Sequence, residues 1–236
     1  MIEIYVVNVG GILGRPLSPS LVKIVDAEKQ SRIMNFRRRE DANRTLYSDL
    51  LARAVLAHRT GRSPVEFRFL TSGNGKPRLA GEADPFFSLS HSGNWIVCAA
   101  GEFVIGVDVE EIRAFDPATA EEFLSDGEQD EFARLAGDSR RNYYFKIWTL
   151  KESFAKAVGF GLGLPFRDLS VRFGPSGGIF LQRKGKPLQD VFFQSGELDD
   201  HHWMSACSLG ERLPGNVIHW DFSRLLRLDP LESAYE

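Results

Sequence analysis

The sequence predicts an α+β chain built as a pseudo-dimer of two similar halves. Three observations point there. Helix-period and strand-period stretches are gathered into separate runs, which argues against a doubly wound parallel sheet. Short segments also repeat in order. Leu51-Ala52-Arg53-Ala54-Val55 resembles Phe154-Ala155-Lys156-Ala157-Val158, and Val65-Glu66-Phe67-Arg68-Phe69 resembles Leu169-Ser170-Val171-Arg172-Phe173. Trp95-Ile96-Val97-Cys98-Ala99 likewise resembles Trp203-Met204-Ser205-Ala206-Cys207. The spacing drifts only from about 103 to about 108 residues, as a duplication would leave it, although apolar helices and strands also resemble one another by composition. Finally, each half reads helix, strand, hairpin, strand. We divide the chain at 1–108 and 109–236 and expect a ligand cleft along the seam.

Taken in order, Met1-Ile2-Glu3-Ile4-Tyr5 reads as a strand and lacks the basic and apolar regions of a signal peptide. Lys29, Arg32, Arg37, Arg38, Arg39 and Arg44 then cluster in a chain of net charge −3. They form either a solvated helix face or a local site for an anion. Leu46, Tyr47, Leu50, Leu51, Ala54 and Val55 keep the i, i+3, i+4 spacing of a helix, and Gly61 is a plausible stop. Strands follow near 65–70, 86–90, 95–100 and 103–109. A second helix near 141–158 precedes strands near 169–173, 178–182, 190–194 and 202–208. Gly73-Asn74-Gly75 and Gly174-Pro175-Ser176-Gly177-Gly178 read as turns.

Hydrophobic residues are 43% and charged residues 26% of the 236, with 18 Phe, enough for a sizeable core. No apolar run approaches the ~20 residues of a membrane span. The acidic net charge, without a zinc motif or aromatic platform, speaks against nucleic acid as the partner. Cys98 and Cys207 lie in apolar strand-like runs without a C-x-x-C, so we expect buried, reduced thiols in a cytoplasmic protein.

The first constellation with chemistry is Gly106-Val107-Asp108-Val109-Glu110. Strand alternation turns Val107 and Val109 to the core and projects Asp108 and Glu110 together from the other face. Adjacent carboxylates repel unless a cation joins them, and hard oxygen ligands suit Mg²⁺; a solvated strand end is the alternative. The second is Trp148-Thr149-Leu150-Lys151-Glu152-Ser153-Phe154-Ala155-Lys156. Glu152 and Lys156 share a helix face with Trp148. On a surface such a pair contributes about 0.2–0.5 kcal/mol, but here its company is apolar, and a half-buried pair needs a reason. Glu128 completes Ser125-Asp126-Gly127-Glu128, a capping box, so its role is a cap or a site residue.

Gly75-Lys76-Pro77 is not a Walker A loop, since Pro77 stands where Ser or Thr is required. Gly159-Phe160-Gly161-Leu162-Gly163 follows a helix and reads as its stop. Ser88-Leu89-Ser90-His91-Ser92-Gly93 brings hydroxyls, turn amides and an imidazole together, either as phosphate donors or as a solvated turn.

Together these segments resemble the 4′-phosphopantetheinyl transferases of the surfactin-synthetase-activating type. Arg39-Glu40-Asp41-Ala42-Asn43-Arg44-Thr45-Leu46, Gly75-Lys76-Pro77, Phe87-Ser88-Leu89-Ser90-His91-Ser92, Gly106 to Glu110 and Trp148 to Lys156 look like that family's motifs in their order. Arg32 stands where relatives often have Lys, and Asn43 replaces a common His.

The resemblance implies coenzyme A as substrate in the cleft, with Mg²⁺ on its diphosphate held by Asp108, Glu110 and Glu152. It implies Lys29, Arg32, Arg44 and His91 at the 3′-phosphate, Lys76 beside the adenine, and Ser90, Ser92 and Lys156 nearby. Glu152 is the implied base for the serine hydroxyl of an acyl- or peptidyl-carrier protein. Lys156 would neutralise or protonate the leaving oxygen, with Lys151 assisting. The two-half length points to the monomeric, broad-specificity branch used in peptide or polyketide synthesis. A non-catalytic CoA- or nucleotide-binding module is the alternative, against which the three acids count.

Overall fold

A computed structural model describes residues 1–71, 75–81, 85–175 and 177–228. Gly73, Asn74 and Ser176 of the expected turns lie outside them. The first half runs β1 (Glu3–Asn8), α1 (Pro19–Val22), α2 (Ala27–Met34), α3 (Arg39–Thr60), β2 (Phe69–Thr71), β3 (Pro77–Leu79), β4 (Phe86–Ser92) and β5 (Trp95–Gly101). The second runs β6 (Val104–Glu111), α4 (Ala120–Phe123), α5 (Asp126–Arg134), α6 (Gly137–Val158), β7 (Leu169–Phe173), β8 (Ile179–Arg183), β9 (Lys186–Pro187), β10 (Val191–Asp199) and β11 (His202–Leu209). It closes with β12 (Ile218–His219) and α7 (Ser223–Leu226).

The main sheets have the strand orders β12-β1-β5-β4 and β10-β11-β6. With β12 set aside, both follow one plan. The strand before the long helix lies at one edge, the last strand pairs with it antiparallel, and the middle strand lies beyond. β12 returns the chain to the first sheet, parallel to β1.

Three apolar clusters stack these pieces in layers. Leu46, Leu50, Leu51 and Val55 of α3 meet Val7, Ile96 and Cys98 of the first sheet. Ile147, Leu150 and Phe154 of α6 meet Leu169, Val171 and Cys207 in the second half. Between the sheets, Ile4, Val6 and Val97 face Ile105, Val107 and Val109. Each Leu or Ile buried in this way contributes about 1.5–3 kcal/mol, so the middle cluster alone binds the halves into one body. Both cysteines are free and buried, one beneath each helix.

The structure corrects three expectations. β6 belongs wholly to the second sheet, because its partner is β11, so the division falls in the turn before Val104 and not at 108. The strand near 65–70 begins only at Phe69, since Pro64–Glu66 forms a 3-10 turn; Pro64 fixes φ and brings no N–H for a ladder.

The helical repeat is also shifted. Gly61 (φ 71°) ends α3 and Gly159 (φ 77°) ends α6, each in the left-handed conformation glycine permits. Aligned at these ends, Arg53 falls opposite Lys151 and not Lys156. The side chains bear this out. Arg53 donates to Phe67 O at 2.7 Å, and Lys151 donates to Phe166 O at 3.0 Å. Each is a fully buried cation that ties its helix to the turn that follows.

Candidate functional site

The site grows from the way two sheet edges meet. β4 and β6 are both edge strands, and an edge carries backbone N–H groups that need partners. Serines at alternate positions of β4 supply them. Ser88 Oγ accepts from Val107 N at 3.1 Å, Ser90 Oγ from Val109 N at 3.3 Å and Ser92 Oγ from Glu111 N at 3.0 Å. The same hydroxyls turn to the acids. Ser90 Oγ donates to Asp108 Oδ1 and Ser92 Oγ to Glu110 Oε2, both at 2.9 Å.

Gly106 brings the third acid alongside. A Cβ there would overlap Ser153 O and Ala157 N of α6, so only glycine lets the helix lie this close to β6. Glu152 therefore faces Asp108 and Glu110 across the gap. Lys156, one turn on, donates to Asp108 Oδ1 at 2.6 Å and to Ser90 Oγ at 2.9 Å.

This crowding shows in the protonation equilibria. Burial, then the Asp108 and Glu110 charges, push the Glu152 carboxyl up to about 7, against the opposing pull of Lys156. Burial and Asp108 also raise Glu110, opposed by the Ser92 hydroxyl, Lys156 and Trp148. Two acids are thus pushed toward their neutral forms beside the Lys156 ammonium. Asp108 Oδ2 and Glu152 Oε1 are buried without a hydrogen-bond partner among the described residues.

A cavity of about 440 Å³ opens over these groups. Asp108, Glu110, Glu152, Lys156 and Trp148 form one end of its lining. Lys29, Arg32, Thr45 and Ser48 form another part, with Ser90 and His91 also on the wall. A second hollow, of about 510 Å³, shares Glu152 and Lys156 and extends past Lys76 to Phe160. The cleft therefore offers Lys29 and Arg32 with Asp49 in one region and three carboxylates with Lys156 in another. A larger hollow of about 770 Å³ between Pro19 and Arg68 touches only one acid, Asp26, and lacks this pairing.

Lys29 is held firmly. Its ammonium donates to Asp49 at 2.6 Å, and Asp49, wholly buried, also accepts from Arg53 Nε at 2.5 Å. Thr45, Ser48 and Asp49 escaped the sequence reading. The i, i+4 pair of Asp49 and Arg53 inside an apolar run was the available signal.

Several expected site residues have other duties. Arg44 donates to Gly93 O at 2.8 Å and to Asp41 at 2.7 Å and its charge acts on His91, while its neighbour Thr45 lines the cavity. Lys76 donates to Ile105 O and to Ala157 O, each at 3.1 Å, and so bridges the halves at the C-terminal end of α6; burial lowers its pKa to about 8. Asn43 is buried, donating to Leu13 O and Arg15 O.

Lys151 lies outside the site altogether. Helical geometry turns it about 100° from Glu152, to where Glu128 (2.5 Å), Phe123 O (2.8 Å) and Phe166 O take its ammonium. Glu128 is a structural residue twice over. It completes the capping box with Ser125, donor to it at 2.8 Å, and its other oxygen accepts from Val171 N at 2.7 Å.

As they stand, no three acids, histidines or cysteines among the described residues form a closed metal cluster. The donor set nevertheless suits a divalent cation. Asp108 and Glu152 each present a buried oxygen with no partner, both are hard donors, and the local charge is negative. An acid group of this kind facing a cationic wall fits a protein that handles a phosphorylated ligand with a metal ion.

The comparisons agree. Residues 18–103 match the 4′-phosphopantetheinyl transferase N-terminal family and residues 104–207 the 4′-phosphopantetheinyl transferase superfamily. The chain is 31% identical over 221 residues to the 4′-phosphopantetheinyl transferase ffp of Bacillus subtilis, covering 92% of this chain and 98% of that protein. It is 29% identical, with the same coverage, to the 4′-phosphopantetheinyl transferase Sfp of Bacillus subtilis strain 168. Among solved structures, the holo-(acyl-carrier-protein) synthase of Bacillus anthracis in complex with CoA is 22% identical. It covers 45% of this chain and 96% of its own, with a TM-score of 0.40. The chain belongs to the 4′-phosphopantetheinyl transferase superfamily.

Proposed function

We infer that this protein transfers the 4′-phosphopantetheine arm of coenzyme A to a serine of a carrier protein, releasing adenosine 3′,5′-bisphosphate. The observation that carries this is the pair of partnerless buried oxygens on Asp108 and Glu152, in a cleft whose other wall is cationic.

Displacement at phosphorus asks chiefly for positioning and neutralised charge. Asp108, Glu110 and Glu152 would hold the divalent ion, Mg²⁺ by donor type. Bound there, the ion offsets the negative charge of the diphosphate. Lys29, Arg32, Thr45 and His91 orient the 3′-phosphate of coenzyme A. Glu152 takes the proton from the incoming serine hydroxyl. Lys156 turns from Asp108 to the diphosphate and neutralises the departing oxygen. Because both halves of the site lie in one chain, the monomer suffices. Free buried thiols and a CoA substrate suit the cytoplasm.

Incubating the protein with CoA, Mg²⁺ and a panel of apo-carriers, then measuring intact mass, tests this. A gain of one phosphopantetheinyl group on the carrier serine is expected. Unchanged masses across the panel would contradict it.

A further inference from the structure

β4 ends on His91, which lines the cavity, and Ser92, which holds Glu110, and the second half grips the turn that follows. The hairpin of β10 and β11 shifts register between Glu197 and Asp199, an irregularity that re-aims Asp199 toward the first half. Asp199 Oδ2 accepts from Trp95 Nε1 at 2.6 Å, on the strand leaving the turn. Its Oδ1 accepts from His202 Nδ1 at 2.8 Å and from His201 N at 2.8 Å. That bond places the Nδ1 proton and leaves Nε2 pointing at the turn.

His202 is only 3% exposed, and its Nε2 has no hydrogen-bond partner among the described residues. A buried polar atom left without a partner asks for a reason. Its neighbour is the backbone of Gly93, where φ is 52° and an added Cβ would collide with Nε2 and come within 3.1 Å of the Glu111 carboxyl carbon. The ring thus acts as a stop beneath the turn. From the other side Arg44 Nε holds Gly93 O. Ser92, the preceding residue, is the donor to Glu110 Oε2 and the acceptor for Glu111 N.

We propose that Asp199 and His202 form a positioning latch that fixes the Ser92–Gly93 turn and, through Ser92, aims the Glu110 carboxylate at the divalent cation. This rests on the metal-assisted reading above. Neither residue touches substrate; both act through Ser92.

The test uses the full chain and Mn²⁺ as probe. In His202→Ala, Mn²⁺ binding in the presence of CoA, read by electron paramagnetic resonance without carrier, weakens about tenfold. At saturating metal, kcat and the KM for carrier return to within a factor of about two. His202→Asn, which keeps a donor for Asp199, recovers most of the affinity. Gly93→Ala weakens binding in the wild-type background and less so beside His202→Ala, because the collision is relieved.

Hydrogen exchange across residues 91–95 speeds up about tenfold in His202→Ala, a readout independent of metal and turnover. Should that variant not fold, Asp199→Asn, whose side chain is 37% exposed, shows the same changes in smaller measure. Folded variants with wild-type Mn²⁺ affinity and wild-type exchange would overturn the latch. A wild type that neither binds Mn²⁺ with CoA nor modifies carriers would instead overturn the transferase reading, and exchange would still decide the latch.

Discussion

Helix α6 carries two lysine–carboxylate pairs that look alike on paper and do opposite work. Lys151 and Glu128 lie 2.5 Å apart with side chains 0% and 1% exposed. Phe123 O, Phe166 O, Ser125 N and Val171 N take up the rest of their bonding capacity. Lys156 and Asp108 lie 2.6 Å apart, but Lys156 is 28% exposed to the cavity and one Asp108 oxygen is left over. A closed pair stabilises a fold. An open pair, with an unclaimed lone pair facing a cleft, is where a ligand enters. What separates them is burial and the sum of their partners, since distance is nearly and charge is wholly the same.

That contrast can be broken at several points. The largest effect belongs to the open group. Asp108→Ala or Glu152→Ala should lower carrier modification by about a thousandfold or more, a barrier change of about 4 kcal/mol, with an unchanged far-UV spectrum. Near-normal rates in either variant would remove these residues from the site. The closed pair should respond the other way. Lys151→Ala leaves Glu128 buried without its cation and should cost about 3–5 kcal/mol of stability in denaturant melts. The rate per folded molecule should stay within about threefold, and a collapse of that rate at preserved stability would restore Lys151 to the chemistry.

A third effect is smaller and depends on pH. Folding raises the Glu152 carboxyl from 4.5 to about 7. The protonated form is therefore favoured in the folded state. No penalty exists below the unfolded value, and one accumulates as pH climbs from about 4.5 to about 7. Glu152→Gln should stabilise the ligand-free protein by about 3 kcal/mol at pH 8 and by nothing at pH 4, as one unit of pKa corresponds to about 1.4 kcal/mol. Equal melts at both pH values would show that Glu152 is not strained. Smallest of all, Ser88→Ala leaves the Val107 N–H without its acceptor and should cost about 1 kcal/mol, with activity retained.

The sequence made the two long helices, the capping box at Ser125 and the pairing of Asp108 with Glu110 legible, because helix period, cap chemistry and strand alternation are local signals. The duplication was legible too, but its helical register was not. Arg53 resembles Lys156 in its flanking alanines, whereas burial and carbonyl partners align it with Lys151. Local resemblance does not report which face of a helix is turned inward.

The serines of β4 carry a second duty for a related reason. Hydroxyls, turn amides and an imidazole together suggest a phosphate site, and the unpaired edge of β6 also claims the hydroxyls. That demand arises only when the two sheets meet, and so it has no trace in β4 itself. Thr45 and Arg44 exchange roles for one reason: neighbours on a helix point about 100° apart. Only the packed position of α3 shows which of them faces the cavity.

The central claim is that carboxylates on β6 and α6 close on one cation against the diphosphate. A crystal grown with CoA and Mn²⁺ tests it most directly through anomalous scattering. We expect one peak about 2.1 Å from oxygens of Asp108, Glu110 and Glu152, with Lys156 moved from Asp108 toward the diphosphate. A peak elsewhere, or the Lys156–Asp108 bond intact with CoA in place, would contradict it.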